Sequence, residues 1–160
     1  MTYLNLADAP EYIPLLADWH HTEWATLNPG QTLEQRIESM QAFLTESLVP
    51  SMFISLYEGQ LAASAAIVAC DMESRPEWSP WLASVYVKPE FRRRGLGSAL
   101  VTAVMNHAQQ QGLSALYLFT PDQASFYEQL GWQFLEQTRY RDHAVTVMRM
   151  RLRTNESQIR

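Results

Sequence analysis

The sequence predicts an α+β domain whose sheet is mostly antiparallel. Three observations predict it: a length of 160 residues, a hydrophobic content of 47%, and the order in which helical and extended patterns alternate. The length suits one domain, and the composition can fill a core. The patterns follow the order βααβββαβαββ, in which consecutive strands favour antiparallel pairing. The predicted domain covers residues 1–153, and residues 154–160 form a predicted polar tail.

The start of the chain predicts a strand and a helix. Residues 2–7, TYLNLA, have the pattern of a short strand. Asp8 is expected to cap a helix over roughly residues 10–26, because its side chain can accept a hydrogen bond from a free amide of the first turn. The sequence NPG at residues 28–30 then ends this helix.

A second helix and a hairpin follow. Thr32 is expected to cap a helix that runs to about Leu48, because Gln35, three residues on, completes a capping box. Residues 51–70 contain two apolar runs separated by Glu-Gly, which is typical of a hairpin.

The second half of the chain alternates strands and helices. Pro89 ends an apolar strand, and the apolar residues that follow Gly97 keep helical spacing as far as Gly112, which is expected to cap the helix. The predicted elements are strand 82–87, helix 97–111, strand 115–119, helix 122–130, and strands 132–140 and 144–152.

Charge divides the chain into an acidic and a basic part. Residues 1–74 hold ten acids and one base, Arg36, and residues 75–160 hold seven acids and eleven bases. These parts carry formal charges of −9 and +4, which give the net charge of −5. The division suits two ligands of opposite sign, although chance patterning on solvated faces explains it equally well on charge alone.

The composition also excludes several classes of function. The single cysteine, Cys70, excludes an intrachain disulfide and a multi-cysteine zinc site, and no metal is expected. The basic stretch lacks interleaved aromatic residues, so nucleic acid is not an expected partner. No signal-peptide pattern is visible, and the longest near-apolar run, residues 61–70, is too short to span a bilayer. We therefore expect a cytoplasmic protein that does not bind membranes.

The segment VYVKPEFRRRGLGSALV, residues 85–101, is the strongest functional signal. It places three arginines and two glycines between a predicted strand and the start of a predicted helix. The first N–H groups of a helix lack internal partners and the helix dipole favours negative charge, so such a turn binds anions. The glycines allow the backbone to approach the ligand closely. The segment predicts a pyrophosphate site, and a solvated basic turn that only caps the helix is the alternative.

Two common phosphate motifs do not fit this segment. A P-loop requires G-x-x-x-x-G-K-[ST], which is absent. A dinucleotide fingerprint requires Gly or Ala where Leu100 stands, and an acid after the next predicted strand, which ends in Phe119 without one.

The turn resembles the signature of the GNAT N-acetyltransferase superfamily. The residues that match R/Q-x-x-G-x-G/A are Arg92, Arg93, Arg94, Gly95, Leu96 and Gly97. Downstream, SFYEQLGW resembles the family's YEKLGF segment, with Tyr127, Gly131 and Trp132 in register. The element order also agrees. The resemblance implies a mixed seven-stranded sheet flanked by four helices, with a cofactor cleft where strands 82–87 and 115–119 splay apart.

The resemblance implies acetyl-coenzyme A as the cosubstrate and no metal. In that family the turn holds the pyrophosphate, and the strand before it pairs with pantetheine like an added strand. An amide of this strand can polarise the thioester carbonyl. Thr120 stands where the family often has an asparagine. The implied cofactor-binding residues are Val85, Tyr86, Val87, Arg92, Arg93, Arg94, Gly95, Leu96, Gly97, Ser98, Thr120 and Tyr127.

The resemblance also implies catalytic roles. Tyr127 matches the general acid that protonates the departing thiolate. Ser84 stands where the family often has the acid that deprotonates the amine, and a serine cannot act as a base unaided. The candidate bases are Glu23 on the first predicted helix and Asp71 and Glu73 after the third strand, and a water chain is the alternative. Each of these acids also has an ordinary interpretation as a solvated surface residue.

Aromatic residues are candidates for the acceptor pocket. Trp78 and Trp81 lie in the loop RPEWSPW, and His20 and Trp24 lie on the first predicted helix. They can wall a site for the acceptor, or they can fill the edge of the core.

The function implied by the resemblance is transfer of acetyl from acetyl-coenzyme A to a primary amine, by direct attack in a ternary complex. The charge of −9 over residues 1–74 favours a small cationic acceptor. A protein or peptide amine is an alternative acceptor. A coenzyme A-binding sensor or interaction module without turnover is the alternative function, because of Ser84. A homodimer is a common assembly in the family.

Overall fold

Seven strands form one mixed sheet in the computed structural model, which describes residues 2–152. The strands are β1 (Thr2–Asn5), β2 (Ser51–Tyr57), β3 (Gln60–Val68), β4 (Trp81–Val87), β5 (Ala115–Thr120), β6 (Gln133–Tyr140) and β7 (His143–Arg151). Their spatial order is β1-β2-β3-β4-β5-β7-β6, and within these residues every neighbouring pair is antiparallel except β4 and β5. The predicted sheet is confirmed.

Four α-helices cover the two faces of the sheet. They are α1 (Ile13–Trp24), α2 (Leu33–Met40), α3 (Leu96–Gln110) and α4 (Ala124–Gln129). On one face, α1 and α2 pack in a cluster that includes Leu16, Met40 and Ile54. On the other face, α3 packs in a cluster that includes Leu100 and Leu118. The sheet is therefore the middle layer of three.

The central strand β3 is buried on both faces. Ala65 and Ile67 belong to the cluster under α3, whereas Ala66, between them, belongs to the cluster under α1 and α2. Side chains alternate across a strand, so a strand buried on both faces reads as a nearly continuous run of small apolar residues. The sequence QLAASAAIV of β3 is such a run.

The start of the chain differs from the prediction. β1 ends at Asn5, whose Oδ1 accepts a hydrogen bond of 2.9 Å from the amide of Ala7 and so caps a 3₁₀ turn at residues 6–8. The prediction that Asp8 caps the first helix was wrong, because this residue lies inside that turn. After a second 3₁₀ turn, α1 begins at Ile13 without a side-chain cap.

The start of α2 agrees with the prediction and its end does not. The amide of Gln35 donates to Thr32 Oγ1 at 3.1 Å and the amide of Thr32 donates to Gln35 Oε1 at 2.9 Å, which is the predicted capping box. The helix stops at Met40 rather than near Leu48, and a 3₁₀ turn follows. This tighter turn brings Phe43 into the same buried cluster as Met40, so core packing ends the helix early.

None of the helices in residues 2–152 has the length and apolar character needed to cross a bilayer. The predicted tail, residues 154–160, lies outside the described residues.

Candidate active site

A cleft opens where β4 and β5 separate. Their parallel pairing is limited to Trp81 opposite Tyr117, where the Tyr117 amide also donates to the carbonyl of Pro80 at 3.0 Å. β4 remains paired with β3 as far as Val87, so beyond Trp81 the other edge of β4 has no strand partner in the described chain. The cleft has a volume of about 1040 Å³. The predicted splay of these two strands is confirmed.

The N-terminus of α3 lies at one end of the cleft. Gly95 precedes the helix with φ +76°, a left-handed conformation that glycine adopts without strain, and no side chain caps the first amides. These amides are therefore free for a ligand. The residues of this turn that line the cleft are Arg92, Arg93, Gly95, Leu96, Gly97 and Ser98.

The three consecutive arginines have different surroundings. Arg92 Nε donates to the carbonyl of Val87 at 2.8 Å, which fixes this side chain along the end of β4. Arg93 is exposed and lines the cleft. Arg94 does not line the cleft, and its guanidinium lies 5.4 Å from the ring centroid of Tyr57. Two of the three arginines are thus placed to meet an anion.

Gly97 serves close packing rather than an open approach to the ligand. A Cβ added at this position would lie 3.1 Å from Cγ2 of Val87 and 3.7 Å from the ring of Phe126. A Cβ added at Gly95 would meet no atom within 4 Å. Gly97 therefore lets α3 lie against β4, and Gly95 faces open space.

Tyr127 combines a buried ring with a place on the cleft wall. The residue is 7% exposed, and its ring packs edge-on against Phe126 and Trp132, at centroid distances of 5.0 and 5.9 Å. Burial raises the pKa of the Tyr127 hydroxyl, so this group stays protonated. Nearby, Thr120 also lines the cleft, and its Oγ1 accepts from the amide of Gln123 at 2.9 Å just before α4.

Three acids lie at the opposite end of the cleft, together with the exposed thiol of Cys70. Glu23 is exposed at the end of α1. Glu73 accepts from Arg141 Nη2 at 2.9 Å, so its carboxylate already has a cationic partner. Asp71 is partly buried and makes no such pair within residues 2–152.

Asp71 is the acid whose basicity the surroundings alter most. Burial raises its pKa to about 6, and the positive charges of Arg36 and Arg141 act in the opposite direction. Its carboxyl group is therefore ionised at neutral pH and accepts a proton more readily than an exposed aspartate.

β4 has an irregularity between these two ends. Ser84 has φ +53°, and the register between β3 and β4 shifts between Ser64 and Ala66. The hydroxyl of Ser64 donates to the carbonyl of Ser84 at 2.8 Å. A bulge of this kind turns the backbone locally, and here it lies on the wall of the cleft.

A polar network that the sequence did not predict supports this bulge. Arg36 Nη2 donates to His20 Nδ1 at 2.9 Å and to Ser84 Oγ at 3.3 Å. Because arginine can only donate, His20 Nδ1 accepts and the ring proton is on Nε2, which donates to Ser64 Oγ at 2.9 Å. Burial, and then the charge of Arg36, lower the pKa of His20 to about 3, so the ring is neutral. The available signal was that Arg36 is the single base of residues 1–74.

The candidate acceptor residues do not all come together. Trp24 lines the cleft. His20 is 1% exposed and lies outside the cleft lining. Trp78 stacks on Tyr117 at a centroid distance of 5.6 Å, Trp81 is fully buried, and neither lines the cleft. Trp81 begins β4 where the two strands still pair, and its side chain packs in a buried cluster that includes Met72 and Tyr140.

Comparison with known proteins identifies the fold. The profile of the Acetyltransferase (GNAT) family matches residues 13–132, which is most of the chain and includes the signature turn and Tyr127. The chain belongs to this family. A search of curated proteins by sequence finds no match.

Solved structures share this fold. An aminoglycoside 6′-N-acetyltransferase complexed with coenzyme A is 14% identical to this chain, with a TM-score of 0.75 over 94% of this chain and 97% of that one. The ribosomal-protein-alanine N-acetyltransferase of Brucella melitensis is 17% identical, with a TM-score of 0.73 over 95% and 100% of the two chains. A putative acetyltransferase from Salmonella typhimurium, solved with its cofactor acetyl-CoA, is 18% identical, with a TM-score of 0.67 over 97% and 95%.

The GNAT assignment confirms the predicted enzyme class, an acetyltransferase, and with it acetyl-coenzyme A as the acetyl donor. The residues present suit that molecule, because free helix amides and Arg93 face one end of the cleft and an unpaired strand edge runs along it. Within residues 2–152, no group of three or more His, Cys, Asp or Glu side chains is arranged to hold a metal ion.

Proposed function

We propose that this GNAT chain transfers acetyl from acetyl-coenzyme A to a primary amine of a small acceptor, by direct attack with both substrates in the cleft. The observation that carries the proposal is the continuity of the cleft, which runs from Arg93 past Ser84 to Asp71. Two ligands that enter from opposite ends of one cleft can meet beside the bulge. This continuity supports a ternary complex.

In this proposal the cofactor end binds the donor. The free amides at the start of α3 and the guanidinium groups of Arg92 and Arg93 bind the pyrophosphate. The open edge of β4, through backbone groups of Val85 and Val87, pairs with the pantetheine arm. The thioester supplies an electrophilic acetyl carbon. A backbone amide of β4 near Ser84 stabilises the negative charge that develops on its oxygen.

Tyr127 acts as the general acid. A buried phenol that stays protonated at neutral pH can donate its proton to the sulfur as the carbon–sulfur bond breaks. The packing of its ring against Phe126 and Trp132 holds the hydroxyl in one position, which supports this role.

Asp71 acts as the base. Of the three candidate acids, Glu73 is paired with Arg141 and Glu23 is exposed. Asp71 has a pKa raised to about 6 and lines the acceptor end. It accepts the proton that the attacking amine loses, directly or through a water molecule, which compensates for the serine at position 84.

A small acceptor is supported by the neighbours of this fold, which include aminoglycoside acetyltransferases. The test is a panel of small amines and short peptides, incubated with acetyl-coenzyme A and analysed for acetylated product by mass spectrometry. We expect a small amine to be acetylated and short peptides to react poorly. A chain that binds coenzyme A tightly by calorimetry and acetylates no amine is a binding module without turnover.

A further inference from the structure

We propose that the acceptor of this enzyme carries a carboxylate next to the amine that is acetylated, and that Arg36 binds this carboxylate. The ligand class is an α-amino acid or a closely similar amino carboxylate. This inference rests on the proposed function and replaces the small cationic acceptor that the charge of residues 1–74 favoured.

Arg36 is a cation that forms no direct ion pair with an acid in the described residues. The ion pairs within residues 2–152 are Arg75–Glu136, Lys88–Glu90 and Arg141–Glu73, and none includes Arg36. Its hydrogen-bond partners, His20 and Ser84, are uncharged. Its Nε is buried and has no hydrogen-bond partner. A partly buried charge whose hydrogen-bond partners are all neutral is costly, and Asp71, the acid whose charge acts on it, lies beyond ion-pair distance. An anionic ligand bound directly to the guanidinium would offset that cost.

The position of Arg36 fixes where the anion would bind. The side chain reaches Ser84, at the bulge in the middle of the cleft wall, and lines the cleft there. Both hydrogen bonds to the protein use Nη2, and neither uses Nη1. A guanidinium presents a planar fork that matches a carboxylate. In the proposed reaction the amine attacks beside Ser84, so a carboxylate bound to Arg36 lies close to that amine.

The second cation at this end is already engaged. Arg141 donates to Glu73, to Asn28 Oδ1 and to the carbonyl of Leu27, at 2.8 to 2.9 Å. Arg36 is therefore the guanidinium that is available to a ligand. Asp71 lines the same end of the cleft and provides an opposite charge. One available cation and one available acid match a ligand that carries both an amine and a carboxylate.

The test compares each amino acid with its own carboxamide, because the two differ in the group that Arg36 would bind. The panel should contain several α-amino acids, because the proposal does not specify the side chain of the acceptor. The quantity to measure is kcat/KM for each pair, in the wild type and in Arg36→Gln. The wild type should prefer the carboxylate roughly 10- to 100-fold, which is the range of a charge-assisted bidentate contact. In Arg36→Gln the ratio should fall to about one.

The ratio separates binding from structural damage. Loss of the hydrogen bonds to His20 and Ser84 lowers the rates with both members of a pair, so a purely structural role leaves their ratio unchanged. Arg36→Lys, which keeps the charge and loses the fork, should give an intermediate ratio. Arg141→Gln is the matched control, because that guanidinium is held by the protein, and it should keep the wild-type ratio. Circular dichroism checks that each variant folds.

A second readout does not require turnover. Calorimetry with coenzyme A present should show that an N-acetyl amino acid binds the wild type at least about tenfold more tightly than its carboxamide, and that Arg36→Gln loses this difference. If simple amines or carboxamides react as well as the amino acids, or if Arg36→Gln keeps the preference, the inference is wrong and the proposed function stands. If no amine reacts at all, the proposed function is wrong, and the calorimetric comparison still decides whether Arg36 binds a carboxylate.

Discussion

The Tyr127 hydroxyl can be tested without disturbing the core, because the ring supplies the packing and the oxygen supplies the proposed chemistry. In Tyr127→Phe we expect kcat to fall roughly 10- to 100-fold. This is at the low end for general acid catalysis, because a thiolate is a fair leaving group even when no acid protonates it. Affinity for acetyl-coenzyme A, measured by calorimetry, should change less than about twofold, because the hydroxyl acts in the transition state. A variant with full kcat, under conditions where chemistry limits the rate, would show that Tyr127 is a packing residue.

Asp71 gives a prediction about pH. Its pKa is raised to about 6, so the carboxyl is a neutral acid below that pH and a base above it. Log kcat/KM for the wild type should therefore rise through pH 6, separately from the rise at higher pH that comes from deprotonation of the free acceptor amine. Asp71→Asn should lose the rise near pH 6 and keep the higher one.

The control for Asp71 is Glu73→Gln, which removes an acid that Arg141 already holds and should keep the limb near pH 6. The groups that act on Asp71 are Arg36 and Arg141, both of which lower its pKa. If Asp71→Asn retains the limb, another group or a water chain takes the proton, and the limb has a different origin.

Site residues that belong to a local motif could be predicted from the sequence, and contacts between distant segments could not. The local segment SFYEQLGW was enough to select Tyr127. The bond between Arg36 and Ser84 joins residues 48 positions apart, and that between His20 and Ser64 joins residues 44 apart. Nothing local in the sequence shows that α1 and α2 dock so that His20 faces the sheet and not the cleft.

At the scale of elements, the turn before α3 separates residues that look identical in the sequence. Arg93 lines the cleft, whereas Arg94 lies over Tyr57. Arg93→Gln should weaken binding of coenzyme A roughly 3- to 10-fold through the loss of one charge-assisted contact, and Arg94→Gln should change it less than about twofold. Calorimetry at two salt concentrations measures both, and the effect at Arg93 should shrink at high salt. Equal losses in the two variants would mean that the whole basic turn acts as one diffuse charge.

Periodicity and turn residues were enough to predict which helices and strands form, whereas tertiary packing decides where some of them end. The hairpin between β2 and β3 and the start of α2 were predictable because their turn and capping residues are local. The early end of α2 was not, because burial of Phe43 decides it. Arg93 and Gly95 both have positive φ angles, and nothing in the local sequence indicated which of the three arginines would line the cleft.

At the scale of the whole molecule, α3 joins the two parts of a sheet that the cleft divides. The cluster beneath it contains Leu82 of β4 and Leu118 of β5, together with Leu100 of the helix. Leu100 is 1% exposed, so Leu100→Ala should lower the free energy of unfolding by about 2–5 kcal/mol. Chemical denaturation should still show one cooperative transition, because a single cluster spans both parts.

The control is Leu15→Ala on α1, where the leucine is 44% exposed and the change should stay within about 0.5 kcal/mol. Two separate transitions in Leu100→Ala would mean that the parts of the sheet are held together by something other than this cluster.

Cys70 makes this chain convenient as a reporter of its own ligands. It is the single cysteine, and its thiol is exposed at the end of the cleft opposite the arginine turn. A maleimide dye would therefore attach once per chain, without engineering, at a place where an entering acceptor alters its emission. The same thiol reacts with the colorimetric reagents that count released coenzyme A and adds one equivalent per chain to their signal. Cys70→Ser removes that background, so the labelled wild type can report occupancy while the variant reports turnover.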